Sequence, residues 1–212
     1  MPNVILNDIS LYYEIHGSGP PLMMVAGLAS DSQSWGPMVQ DLARDFLVIV
    51  TDNRGVGRST QTGIDITIAA MADDHLALID HLGMDSVHLL GHSMGGFIAL
   101  ECAIRCASRI ASLLLAGTAA VASERSRRLF ASWASGLESG MEPRRWLMEL
   151  FPWLFTRRFL EDGNAVEAAV RYALEYPYPQ GAGAFRKQVE AIAEFDGSGG
   201  LAKVKPPVLV IH

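Results

Sequence analysis

Gly91-His92-Ser93-Met94-Gly95-Gly96 sits between an apolar run that reads as a strand and a stretch that reads as a buried helix. A G-x-S-x-G sequence in that setting makes a turn so sharp that its serine is strained, with the hydroxyl projected above the sheet. Side chains at 91 and 95 would collide with the neighbouring strand and helix, and Gly96 extends this small-residue zone. The helix starting at Met94 also aims its positive end and free N–H groups at developing negative charge. Ser93 is therefore the candidate catalytic nucleophile. A plain serine cap on a Gly-rich helix start leaves the uninterrupted apolar run before it unexplained. A phosphate-binding loop would need Lys where Phe97 stands.

Attack on an acyl carbon creates an oxyanion, which needs two preorganised N–H donors. One is expected from Met94, the residue after the nucleophile. The other is expected from Leu28 in Ala26-Gly27-Leu28, which follows the apolar run Leu22–Ala26. A third segment, Asp52-Asn53-Arg54-Gly55-Val56-Gly57-Arg58-Ser59, follows the next apolar run. Its glycines suggest a dinucleotide loop only weakly, since no first βαβ unit and no acidic ribose partner accompany them. The preferred reading is structural, with Arg54 bracing the carboxyl edge of the sheet.

These groups need a scaffold. Short apolar runs alternate with helical patterns, the signature of an α/β sheet. Val4–Leu6 and Leu11–Ile15 read as a hairpin around Asn7-Asp8, and His16–Pro20 as a tight loop. Leu22–Ala26 and Phe46–Thr51 are unalternating runs suited to strands buried on both faces. Ser86–Leu90, Ile110–Ala116 and Pro207–Ile211 complete the strands. Trp35–Arg44, Ile68–Leu82 and Met94–Cys106 are the expected helices, the second capped by Thr67 and Gly83. His75 lies on the apolar stripe of that second helix and reads as a hydrogen-bonded interior histidine.

Residues 121–195 show no convincing strand. Three apolar stripes predict helices there: Trp146, Leu147, Leu150, Phe151 and Leu154 (interrupted by Pro152); Val166, Ala169, Val170, Ala173 and Leu174; and Phe185, Gln188, Val189 and Ile192. A helical excursion off the carboxyl edge of a sheet would cover the region where such sheets bind ligands. Gly197-Ser198-Gly199-Gly200 is the expected hinge back to the sheet.

Composition narrows the function classes. The 212 residues suit one domain, and a chain of this size buries roughly 70% of its unfolded surface without staples. With 17 Lys+Arg against 23 Asp+Glu the net charge is −6, and no basic footprint for nucleic acid or an anionic membrane is present. No apolar run approaches a bilayer span of about 20 residues. The start, Met1–Asp8, lacks the basic and long apolar regions of a leader, so a cytoplasmic protein is expected. Cys102 and Cys106 read as small buried residues rather than a redox pair. His75 and His81, with Asp74 and Asp80, match no metal-binding spacing. No cofactor and no metal are expected.

Together, the Ala26-Gly27-Leu28 loop, Trp35, the Asp52–Ser59 segment, the Ser93 turn and the terminal Lys205–His212 run resemble the α/β-hydrolase family. The likeness is to its cap-bearing serine hydrolases of the esterase and enol-lactonase kind, and it runs through nearly the whole chain. One departure is Ala26-Gly27 where many members have His-Gly. A nucleophilic aspartate, as in dehalogenases and epoxide hydrolases, is excluded by Ser93. The resemblance implies a mostly parallel sheet flanked by helices, with an inserted helical cap. Residues 1–120 would be the first part of the core, 121–196 the cap, and 197–212 the return to the core in a seventh strand.

It also implies an acid after the seventh strand and a histidine after the eighth, because serine needs a base and the base an orienting carboxylate. The sequence reaches only His212 in that seventh strand. His16, His75, His81, His88, His92 and His212 all read as poorly placed to serve. The expectation is therefore a truncated chain, lacking the last strand and helix, with acid and base beyond residue 212 and low activity by itself. Val208–Ile211 would then be an apolar edge prone to self-association. The reading preferred is a hydrolase of a carboxylic ester, thioester or lactone, taking a small acyl substrate. A carbon–carbon-bond hydrolase on the same machinery would want a cationic clamp, for which Arg144, Arg145, Arg157, Arg158 and Arg186 are available. A non-catalytic binding or receptor protein on this fold would not need the strained serine.

Overall fold

A computed structural model describes residues 3–212, apart from the side chain of Pro37. Met1 and Pro2, which open the stretch read above for a leader, lie outside the described residues. Strands β1 (Asn3–Leu6) and β2 (Ile9–His16) form an antiparallel hairpin. Asn7 turns it at φ 51°, a left-handed conformation that Asn tolerates better than most residues. The remaining strands are β3 (Pro21–Val25), β4 (Leu47–Asp52), β5 (Val87–His92), β6 (Ile110–Ala116) and β7 (Val208–Ile211). All seven join one sheet in the order β1-β2-β4-β3-β5-β6-β7, parallel from β4 onward.

The unalternating runs are buried on both faces, as expected. Along β3, Leu22 and Met24 pack toward helix α1 (Gly36–Leu42), whereas Met23 and Val25 join the core under α2 (Ile68–His81) and α3 (Met94–Arg105). Period-2 alternation thus feeds two apolar layers from one strand. The helix expected over Trp35–Arg44 is two elements, a 3-10 turn at Ser32–Trp35 and then α1. Gly36 at φ 37° breaks the helical path between them. The Thr67 hydroxyl caps α2 by accepting from the Ala70 N–H at 3.0 Å, and Gly83 closes it at φ 65°.

Between β6 and β7 run five helices: α4 (Glu124–Glu138), α5 (Pro143–Leu154), α6 (Arg157–Leu160), α7 (Gly163–Leu174) and α8 (Ala182–Glu194). The sequence pattern shows three of them and misses α4 and α6. In α4 the apolar residues Leu129, Phe130, Trp133 and Leu137 are diluted by Ser, Gly and charged residues, and α6 is a single turn. Pro152 does not interrupt α5, which runs on to Leu154. It lies in the last turn, where the one hydrogen bond it removes leaves the rest of the helix intact. Leu154 and Leu174, the last residues of two of the apolar stripes, are exposed at these helix ends.

An isolated antiparallel bridge joins Val121 to Asp196, and the Gly197 N–H donates to the Ala120 carbonyl at 2.9 Å. The two crossings between sheet and helices are therefore tied side by side. The segment read as a hinge, Gly197–Gly200, is a packed 3-10 turn covering Ser198–Lys203. A Cβ on Gly200 would stand 2.7 Å from Ile104 Cδ1, so its glycine serves close approach to α3 rather than mobility. At the sheet edge, all four residues of β7 are about half exposed. Among the described residues, no helix is long and apolar enough to cross a membrane.

Candidate active site

β3 and β5 are sheet neighbours whose chains leave toward opposite faces, one to α1 and one to α3. Their carboxyl ends therefore diverge and leave a crevice, the usual ligand position in an open α/β sheet. Ser93 stands in that crevice as the single residue between β5 and α3, at φ 53° and ψ −118°. An L-residue there is strained by roughly 1–3 kcal/mol, and such strain persists only where the surroundings over-determine it. Here the Ser93 N–H donates to the Ala116 carbonyl of β6, and its own carbonyl accepts from Gly96, both at 2.9 Å.

The glycines explain how strand and helix come so close. A Cβ on Gly91 would lie 2.2 Å from the Gly95 carbonyl oxygen, and one on Gly95 only 2.0 Å from that of Val25. On Gly96 it would meet the Thr118 side chain at 2.3 Å. Gly27 brings the loop after β3 onto the turn, since a Cβ there would lie 3.1 Å from Ser93 Cβ. Among the described residues, neither the Leu28 N–H nor the Met94 N–H has a protein acceptor. Both donors therefore remain free beside Ser93.

Two residues to which the sequence assigns no part at the site, one in the Asp52–Ser59 segment and one in the third apolar stripe, hold this loop. Asn53 Nδ2 donates to the Ala26 carbonyl at 3.0 Å. Gln188, fully buried on α8, accepts from the Ala29 N–H at 3.4 Å and donates to the Arg54 carbonyl at 3.1 Å. A polar residue inside the apolar stripe of α8 was the available signal for Gln188. The Asp52–Ser59 segment is a polar brace. Arg54 forks onto the Asp74 carboxylate at 2.6 and 2.7 Å and reaches the Asp65 carbonyl and Asp8 as well. Asp52, fully buried, accepts from the backbone N–H groups of Ser32 and Arg58 and from Arg58 Nε.

The imidazoles are dispersed. His75 is interior, with one ring nitrogen 2.7 Å from the Met71 carbonyl and the other 3.1 Å from Thr51 Oγ1, and burial holds it toward its neutral form. His16 pairs with Glu14, His88 with Ser112, and His81 lies edge-on to Tyr13. His92 leaves the end of β5 toward Trp35, their ring centroids 6.4 Å apart, and partial burial lowers its pKa. Among the described residues, no imidazole or carboxylate hydrogen-bonds the Ser93 hydroxyl.

A cavity of about 900 Å³ opens over Ser93, floored by Gly27, Leu28, His92 and Ser93 and walled by α4, α5 and α7. Trp133, Trp146, Trp153, Phe130, Phe151 and Phe185 give it an aromatic lining. A second cavity of about 510 Å³ shares Ala29, Trp146, Leu147, Tyr172 and Phe185 with it and contains Asp31. Burial raises the Asp31 carboxyl above its usual range, and the Tyr176 hydroxyl donates to it. Of the five arginines considered as clamps, Arg144, Arg145, Arg157 and Arg186 are paired with Glu167, Glu149, Glu161 and Glu138. None of the five, Arg158 included, lines the Ser93 cavity. Among the described residues no group of three or more His, Cys, Asp or Glu is placed to hold a metal ion.

Known proteins match this arrangement closely. "Putative carbamate hydrolase RutD" from Azorhizobium caulinodans is 32% identical, over 99% of this chain and 78% of that protein. The enol-lactonase of Burkholderia xenovorans LB400 superposes with a TM-score of 0.82 at 27% identity, covering 99% of this chain and 80% of the other. A thermophilic esterase from Thermogutta terrifontis does so at 0.81 and 29%, covering 95% and 74%. The family model for the alpha/beta hydrolase fold matches residues 20–197. That match spans most of the chain, including the strands that flank Ser93: the chain belongs to the α/β hydrolases.

Proposed function

We infer that Ser93 is the nucleophile of an acyl hydrolase, and that residues 121–196 form a cap enclosing its substrate. Ser93 Oγ attacks the carbonyl carbon of a carboxylic ester, thioester or lactone as its proton passes to a base. The carbonyl oxygen becomes an oxyanion between the Leu28 and Met94 N–H groups. Collapse expels the alcohol or thiol, which takes up a proton, and leaves the acyl group on Ser93. Water then attacks the acyl-enzyme and releases the acid. Both donors are backbone groups fixed by the fold, so they need no reorganisation at the moment of reaction.

The observation that carries this reading is the strained backbone of Ser93 beside two unpaired N–H groups. A binding protein would have no use for that strain, which weighs against a receptor role. With no imidazole on the Ser93 hydroxyl, the base and its orienting carboxylate are proposed to come from outside residues 1–212. The enol-lactonase and esterase neighbours favour an ester or lactone. The relatives named as carbamate hydrolases favour a second reading, in which the same attack leaves a carbamoyl group on Ser93.

Reading the coding sequence past codon 212 tests the first half of this. An Asp within a few codons and a later His preceded by Gly are expected. On that longer chain, p-nitrophenyl butyrate, a γ-lactone and an aryl carbamate separate the two substrate readings. Ser93→Ala is expected to lower kcat by about 10⁴–10⁶ on whichever is turned over. Turnover that survives Ser93→Ala would overturn the assignment.

A further inference from the structure

The Ser93 cavity carries an asymmetry of charge. Among the described residues lining it, Arg125 is the one formally charged side chain, and none is a carboxylate. Arg125 has no acidic partner among the described residues either, unlike the four paired arginines on α5, α6 and α8. Its neighbour Glu124 is taken up by Arg128. The guanidinium instead stands over the Trp153 ring, 5.2 Å from its centroid. A cation–π contact of this kind uses none of the guanidinium N–H groups, so the fork stays free for a carboxylate.

An aromatic cavity disfavours an unpaired anion strongly. One guanidinium without an acidic partner, solvent-exposed where it lines the cavity, offsets that penalty at a single place, and a bidentate carboxylate is the ligand that its fork fits best. We propose that the Ser93 site takes acyl substrates bearing a second, ionised carboxylate, with Arg125 binding that carboxylate and the aromatic wall holding the apolar segment between. This deepens the acyl-hydrolase reading and rests on it for the position of the reacting carbonyl. Arg125 acts on specificity and takes no part in the bond changes at Ser93.

Binding tests this without requiring turnover. Residues 1–212, the Arg125→Gln variant and an Arg144→Gln control are titrated with 4-phenylbutyrate and with its uncharged isostere, 4-phenylbutyramide. Calorimetry measures affinity, and quenching of the cavity tryptophans Trp133, Trp146 and Trp153 reports where the ligand sits. The carboxylate is expected to bind about tenfold more tightly than the amide at low salt, with the advantage shrinking as salt screens the pair. Arg125→Gln should abolish the advantage with amide affinity unchanged, and Arg144→Gln should keep it. Equal binding of the two ligands by the parent chain, a preference surviving Arg125→Gln, or no binding of either ligand would overturn the proposal. Ser93→Ala should bind both as the parent does, because no covalent step is involved. Failure here therefore leaves the nucleophile assignment standing, and failure of that assignment shows only in the turnover assay.

Discussion

Ser93 holds a backbone conformation that glycine adopts without strain, so stability and chemistry make opposite demands on this position. Ser93→Gly is expected to raise the unfolding free energy by about 1 kcal/mol, read from urea denaturation, while Ser93→Ala, which keeps the Cβ, gains nothing. Gly95 tolerates no such exchange, because a Cβ 2.0 Å from the Val25 carbonyl oxygen must push β3 and α3 apart. Gly95→Ala should cost about 3 kcal/mol or more, or prevent folding, measured by the same titration. His75 sets a pH dependence. Burial lowers its pKa from the usual 6.5, so the folded state prefers the neutral ring. Its contribution is complete above that value and is lost as pH falls from there through the depressed folded value. Between pH 7.5 and 5, stability should fall more steeply in the parent chain than in His75→Gln. Equal slopes would remove His75 as the cause.

At the scale of elements, three connections converge on one loop. β3 delivers Gly27 to Ser93, the segment after β4 supplies Asn53, and α8 supplies Gln188. Gln188→Leu would leave the Arg54 carbonyl and the Ala29 N–H without their partner, at a cost of about 1–3 kcal/mol. β7 presents a different risk. Its four apolar residues are half exposed at the edge of the sheet, with β6 as their one paired neighbour. Unpaired apolar edges template association, and we propose that copies of residues 1–212 associate through Val208–Ile211. Sedimentation velocity should show concentration-dependent oligomers that Val210→Lys suppresses. A monodisperse monomer at high concentration would count against this surface.

Across the whole molecule, the proposed machinery is unevenly represented among the described residues. The switch point, the strained serine, the two free N–H donors and the enclosing helices are all present, yet the Ser93 hydroxyl has no imidazole partner among the described residues. Ester hydrolysis by residues 1–212 should therefore be no faster than by the same chain with Ser93→Ala. Robust Ser93-dependent turnover would show that an imidazole of this chain, His92 before any other, reaches the hydroxyl.

The sheet strands, the Thr67 cap, the interior place of His75 and the tight glycine turn at Ser93 were legible from residue order. Each rests on sterics or hydrogen bonding between near neighbours, and apolar runs and glycine spacing record such effects directly. The α4 helix was not legible, because a helix that covers a cavity needs only a thin apolar stripe, and this one is diluted by Ser, Gly and charge. The long-range polar contacts around Ser93 were decided by tertiary structure alone. Gln188 meets Ala29 across 159 residues of chain, and Arg125 borders the cavity while four other arginines of residues 121–196 pair with glutamates. Periodicity says which face of a helix is apolar. It carries no information about which distant polar group will stand opposite, and that pairing sets the shape and charge of the site.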